Sequence, residues 1–376
     1  MLAEESAEES AEESGADHQR RKLGHLGVWP RFCPCTRSCP LATRRGIPSR
    51  SYLTVSLLAT RPTVLGCRET VESIFMSNKY LLRMAAIGRF PELEIDQARF
   101  EELKAARPIL LHALAIEEKY EIIISNFLEL EREAANASIS EMIRNRIEHK
   151  DLFDVRLALN IRLVNLLTAV RLYTDQLSGH ICACIPSDDN IKTQVKAFFS
   201  TEYDASFEYR FMEALRNHVQ HSDIPVHRIS TGAKRTGIED GRFESSFYFG
   251  AQKKELAEDD SFKKSVLDQM PDEVNLRSAV GAYIEGISRI HKQAREKIES
   301  IVDSSRQCSD RAIRDYMVVY GKEPVGLYAY EYAGEEGVNE VLVLTRWDDI
   351  RIELVKRNSE LVNLRNRYVT SQAHKK

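Results

Sequence analysis

The chain has 376 residues, 43% of them hydrophobic, which is enough to build more than one core. Its formal charge is −4. The molecule as a whole is therefore no polycation that coats nucleic acid or an anionic membrane, and any phosphate site has to be local. No apolar run reaches transmembrane length, because the stretches around Ile122 to Ile124 and Leu163 to Val170 meet charged or amide residues within a few positions.

Residues 1–75 read differently from the rest. Three copies of Ala-Glu-Glu-Ser between Ala3 and Ser14 form an acidic tract that cannot build a core. From Asp17 to Ser73 the sign reverses, with ten Arg or Lys facing only Asp17, Glu69 and Glu72. An Arg-rich segment suits organelle import, but the acidic repeat in front of it argues against that. The Cys33, Cys35 and Cys39 spacing, with Cys67 further on, does not match the Cys-x2-4-Cys pairs of a zinc knuckle. The segment is expected to be an extension without a fold, with initiation at Met76. Beyond it stand 43 basic and 48 acidic residues and three cysteines, Cys182, Cys184 and Cys308. An odd number with no framework points to a reducing, cytoplasmic setting.

The body divides by pattern into a helical bundle over 76–225 and a second part over 226–376 with two β-hairpins and long helices, a mainly α, α+β fold. Pro108 should break a first helical stretch. A helix then runs from Ile109 to about Ala135, with Leu110, Leu114, Ile123, Phe127 and Leu130 inward. The next, from about Asp151 to Ser178, is apolar nearly all round from Leu152 to Tyr173, so it should lie centrally in the bundle. Its polar interruptions, Asn160, Asn165, Arg171 and Asp175, must be paired or face a cavity, and Arg171 with Asp175 has intrahelical spacing. Gly179 should end it. After a turn at Pro186 to Asp189, a short helix reaches about Phe199. Another runs from about Asp204 to His221 with Phe207, Phe211, Leu215 and His218 on one stripe, closed by Pro225.

Val226 to Ala233 and Arg242 to Phe249 predict one hairpin, and Val325 to Tyr332 with Val341 to Trp347 predict another. Between them Leu276, Val280, Tyr283, Ile287, Ile290, Ala294, Ile298 and Ile301 recur at three or four residues, the clearest amphipathic helix of the chain. A charged helix from about Asp348 to Tyr368 closes the sequence.

Several chemistries are missing. Gly232 to Gly237 has the glycines of a phosphate loop but no Lys-Ser/Thr after the second, and no Gly-x-Gly-x-x-Gly opens a helix. His-Glu-x-x-His and Gly-x-Ser-x-Gly are absent as well. His180-Ile-Cys182-Ala-Cys184 gathers three soft ligands whose companions would have to come from elsewhere, and buried structural cysteines are common. No cofactor or metal is expected. His112, His149 and His291 have no sequence companions and read as structural or solvent-facing residues.

The candidate site is Arg216-Asn217-His218-Val-Gln-His221 at the end of its helix. Asn217 and His221 share a helix face. An imidazole can move a proton near neutrality, and a guanidinium can bind two phosphate oxygens while charge builds. The same cluster can serve simply as a cationic last turn that satisfies carbonyls and the helix dipole.

Arg216-Asn217-x3-His221 on a late helix of a bundle resembles the Arg-x4-6-His signature of the HEPN superfamily, which often has a polar residue after the Arg. The stretch is also similar to Leu-Arg-Asn-x-x-Gln-His in bacterial proteins of unknown function. The resemblance covers Leu110 to His227. It implies a metal-independent endoribonuclease of toxin-antitoxin or phage-defence type, acting as a homodimer on RNA and held by an antitoxin-like protein partner. Arg216 would then bind the scissile phosphate, His221 would be the general acid or base, and Asn217 would position them. Other members of the superfamily are non-catalytic binding modules, and on that alternative the Leu276 to Ile301 helix would serve assembly.

Overall fold

The computed structural model of the protein describes residues 78–144, 148–235, 243–367 and 369. The expectations for residues 1–75 and for the Gly-rich connection of the first hairpin lie outside these. The chain from Glu72 to Lys376 forms one compact unit. Among the described residues no helix is long and apolar enough to cross a membrane.

The unit opens with two strands that local pattern did not mark, β1 (Lys79–Met84) and β2 (Leu93–Ile95). Helix α1 (Gln97–Arg144) then runs 48 residues straight through Pro108. This corrects the expected break. Pro108 and Lys104 are both exposed, so the Lys104 carbonyl left without a donor can turn to water, and buried Leu103, Ala106 and Leu110 on the other face hold the helix together.

Helix α2 (His149–Cys184) likewise passes through Gly179. Ile181 and Cys184 beyond it are fully buried, and their packing carries the helix on for more than a turn. The expected pairing of its polar residues holds where they are buried. Asn160 donates through Nδ2 to the Arg156 carbonyl and accepts the Val226 N–H on Oδ1 at 2.8 Å. Arg171 pairs with Asp175 at 2.6 Å on the surface, and Asn165 is exposed. The helix is not central in the bundle, because Phe153, Leu157 and Ile161 face outward.

Helix α3 (Ile191–Ala205) is longer than expected, and α4 (Phe207–His221) follows after Ser206, whose Oγ accepts the Tyr209 N–H at 3.2 Å. Strands β3 (Arg228–Arg235) and β4 (Phe243–Gln252) form the expected first hairpin. Short helices α5 (Lys253–Ala257) and α6 (Lys264–Leu267) lead to β5 (Glu273–Asn275), which adds a third strand beside β4.

Helix α7 (Leu276–Tyr320) starts where the pattern places it but extends to 45 residues, stopped by Gly321 at φ +82°. From Leu276 to Ile298 its predicted apolar stripe is buried within this chain, against α1, α2 and α4, so it is not free to serve assembly. Strands β6 (Leu327–Ala333) and β7 (Glu336–Leu342) form the second hairpin. Gly334, at φ +66°, closes the turn so tightly that β7 begins at Glu336, earlier than expected. Trp347 falls instead in α8 (Arg346–Arg357).

The last helix also ends early, at Arg357 rather than Tyr368. The Asn358 carbonyl accepts from Arg295, Asn358 Nδ2 donates to Glu121, and the Leu361 N–H reaches Ser288 Oγ. These tertiary bonds pull the chain off the helical path.

Among the described residues two antiparallel sheets result, one ordered β2-β1-β6-β7 and the other β3-β4-β5. The larger core lies among α1, α2, α4 and the first two-thirds of α7, and a smaller one joins Tyr80, Leu82, Phe100, Tyr316 and Leu327. Ile287 is fully buried in the larger core. Ile287→Asp places an unpaired charge there and is expected to cost about 4 kcal/mol, read as a lowered urea midpoint. Unchanged melting would mean that this stripe is not what holds the fold.

Candidate functional site

Helix α4 is held on three sides. Phe211 and Leu215 are fully buried, and Tyr209 lies against α7 at Gly286, where an added Cβ would come within 2.7 Å of the Tyr209 ring. Beyond the helix, Val226 is tied to Asn160 of α2. His218, expected on the inner stripe, is buried, and its Nδ1 lies 2.5 Å from Asp259 Oδ2 in the connection between α5 and α6. The Ser261 hydroxyl and amide and the His218 ring hold the Asp259 carboxylate far below the usual range.

These anchors separate the candidate residues. Arg216 is only 6% exposed. Its Nη1 pairs with Glu213 Oε2 at 2.9 Å, and Nη2 donates to Asn217 Oδ1 at 3.3 Å. Glu213 also accepts the buried Tyr283 hydroxyl of α7. Arg216 Nε is buried without a partner among the described residues. Asn217 and His221 are exposed. The structure thus joins Arg216 to Asn217 and leaves His221 at the surface one turn on, with no hydrogen bond to either among the described residues. The guanidinium is oriented from inside by Glu213 and from outside by Asn217.

Two further clusters bring together residues that the sequence did not pair. In the first, His291 of α7 stacks on Tyr120 with ring centroids 3.8 Å apart. Its Nδ1 lies 3.0 Å from the Tyr173 hydroxyl and its Nε2 lies 3.2 Å from Glu117 Oε2. Arg295 grips Glu117 through Nε and Nη2 at 2.8 and 2.6 Å. Burial alone would raise the Glu117 carboxyl, but the bonds from Arg295 and His291 outweigh it and bring it down to about 2. Burial lowers the His291 pKa and keeps the ring neutral. Tyr173 therefore donates to Nδ1, and Nε2–H donates to the carboxylate. His291, Tyr173, Glu117 and Arg295 satisfy one another, while the Tyr120 hydroxyl is buried without a partner among the described residues, so the cluster binds α1, α2 and α7 together and its imidazole is not free to act as a base.

In the second cluster, His112 of α1 meets His180 of α2, Nδ1 to Nδ1 at 3.0 Å. Burial, then the charge of Lys119, then His112 bring His180 down to about 4. Cys184 is buried, its thiol is pushed up to about 12, and Sγ–H points to the Ile109 carbonyl. Both pairings needed the register between helices far apart in sequence. The local signals were the isolated His112 and His291 and the His180-Ile-Cys182-Ala-Cys184 run, none of which names its partner on another helix.

No protein-family model, curated protein or solved structure matches this chain.

The Glu117 cluster sets a pH dependence. Its carboxyl is held below the usual 4.5, so the stability it contributes is complete above that value and is lost as pH falls toward about 2. His291, also depressed, adds loss in the same direction, starting as pH drops below 6.5. Glu117→Gln leaves Arg295 without its partner and is expected to cost roughly 3 kcal/mol at neutral pH. Urea unfolding of both proteins across the acid range should show that deficit shrinking as the wild-type carboxylate is protonated. A deficit independent of pH would overturn the assignment.

Proposed function

We propose that the end of α4 is the centre of a metal-independent endoribonuclease, formed when two copies of the chain bring their α4 ends together. The observation that carries this reading is the Arg216–Asn217 bond beside an exposed His221. Asn217 positions a guanidinium that cannot lose its charge, and His221 has a ring open to substrate. In the reaction the RNA 2′-oxygen attacks the adjacent phosphorus. A bond from the 2′-oxygen to phosphorus forms as the bond from phosphorus to the 5′-oxygen breaks, leaving a 2′,3′-cyclic phosphate and a 5′-hydroxyl. One imidazole takes the 2′-proton and another returns one to the leaving oxygen, and two copies of His221 would supply both. Arg216 Nη2 would turn from Asn217 to the phosphate oxygens while Glu213 keeps Nη1 in place. A defence or toxin-antitoxin role in the cytoplasm, with a protein antitoxin, is the setting in which such an activity would be held in check.

A second reading is favoured by the same guanidinium. Its charge is already met by Glu213 and little of it is exposed, as a non-catalytic interaction module would have it. Its contact face would then lie on α2, where Phe153, Leu157 and Ile161 are exposed at a spacing of four.

Mixed cellular RNA incubated with the full chain in EDTA separates the two. Cleavage should leave 2′,3′-cyclic phosphate ends. It should fall about 10²- to 10⁴-fold in His221→Ala and by a similar factor in Arg216→Ala. Because Arg216 is buried against Glu213, Arg216→Lys is the companion variant that keeps the charge and the fold. Folded wild-type protein that leaves RNA intact would remove the ribonuclease reading.

A further inference from the structure

We propose that His112 and His180 form a two-imidazole site for a divalent transition-metal ion of the Cu²⁺ or Ni²⁺ class, clipping α1 to α2. The two Nδ1 atoms are 3.0 Å apart, with the rings tilted by 51°. Two imidazole nitrogens that bind one ion at ~2.0–2.1 Å, and lie that far from each other, subtend roughly 91–97° at the ion. This is the angle between neighbouring ligands in square-planar or tetragonal coordination, which Cu²⁺ and Ni²⁺ favour. A tetrahedral ion such as Zn²⁺ would need the nitrogens opened to about 3.3 Å.

The site is built as well as open. Each histidine is half-buried on a long helix, and the two helices pack along much of their length. The nitrogens are therefore preplaced, while solvent can fill the remaining coordination positions. With no ion bound the contact is a hydrogen bond between opposite tautomers, one Nδ1–H donating to the other Nδ1, and an ion would take the place of the shared proton.

The neighbours narrow the choice of ion. Cys184, one turn beyond His180, is turned inward to the Ile109 carbonyl and stays protonated, so it supplies no thiolate. Lys119, whose Nζ donates to the Ala115 carbonyl, places a positive charge near His180. A hard cation such as Mg²⁺, which needs carboxylate oxygens, has no reason to bind. An ion with strong imidazole affinity does. The site is remote from Arg216 in sequence and stands independently of the α4 reading.

The experiment is calorimetric titration of the full chain, stripped with EDTA and dialysed, with NiCl₂ and with CuSO₄, and with MgCl₂ as the non-binding control. His112→Ala and His180→Ala are titrated beside it. The wild type should take up one equivalent more than either variant, or bind that equivalent at least about tenfold more tightly. Ni²⁺ should raise the melting temperature of the wild type and not of the variants, because it binds the folded state alone. His112→Gln and His180→Gln, which keep a hydrogen-bonding group, stand in for an alanine variant that melts early in EDTA. Equal stoichiometry and affinity in the wild type and the variants, or no uptake by the wild type, would overturn the proposal.

Discussion

Glu117 lies near the middle of α1, and its carboxylate takes Arg295 and His291 from the middle of α7. Further pairs lie toward either end, with Arg99 on Asp315 and Glu131 on Arg277. Residue numbers rise on one helix as they fall on the other, so the two longest helices run antiparallel and are pinned at three levels. A buried ion pair adds little net stability, because desolvation offsets its attraction. Its effect here is on register. Sliding α7 by one turn would leave Glu117 and His291 buried without partners, a far greater cost than any apolar mismatch along the stripe.

That register carries the rest of the fold. Helices of 48 and 45 residues span about 70 Å, too long for any one layer to cover. Each lends one part to the larger core and the other to the smaller. Leu110 to Ala134 of α1 meet Leu276 to Val302 of α7 in the first, while Phe100 and Leu103 meet Ala312 and Tyr316 in the second. The α4 end depends on it too. Tyr209 seats against Gly286, and Tyr283 bonds Glu213, which holds Arg216. A shift of α7 would therefore reach the guanidinium through two contacts.

What could be read from the chain was whatever repeats locally. The Leu276 to Ile298 stripe, the Phe211 and Leu215 face and the first hairpin follow from periodicity that neighbouring residues enforce on one another. Pro108 and Gly179 misled for one reason. A breaker is a local preference worth about 1–3 kcal/mol, and the combined burial of Leu103, Ala106 and Leu110 on one helix, or of Ile181 and Cys184 on the other, exceeds it. Strand β1 was silent because its partner β6 lies some 250 residues away. At the candidate site, Arg216, Asn217 and His221 could be found by residue type and spacing. Which of them turns inward could not, because Glu213 faces Tyr283 only after α4 has docked on α7.

The pairing of β1 with β6 has a consequence for synthesis. Lys79 is bonded opposite Tyr332, and Met84 opposite Leu327. A ribosome adding roughly 5–20 residues per second needs on the order of tens of seconds to make the intervening chain. For that interval a strand carrying Tyr80, Leu82 and Met84 is outside the tunnel with one sheet edge unpaired, covered at most by the three-residue β2 on its other side. A newborn chain therefore passes through a state in which β1 presents an apolar strand with an open edge. The smaller core can close only after β6 has been released, so it is among the last parts of the fold to form.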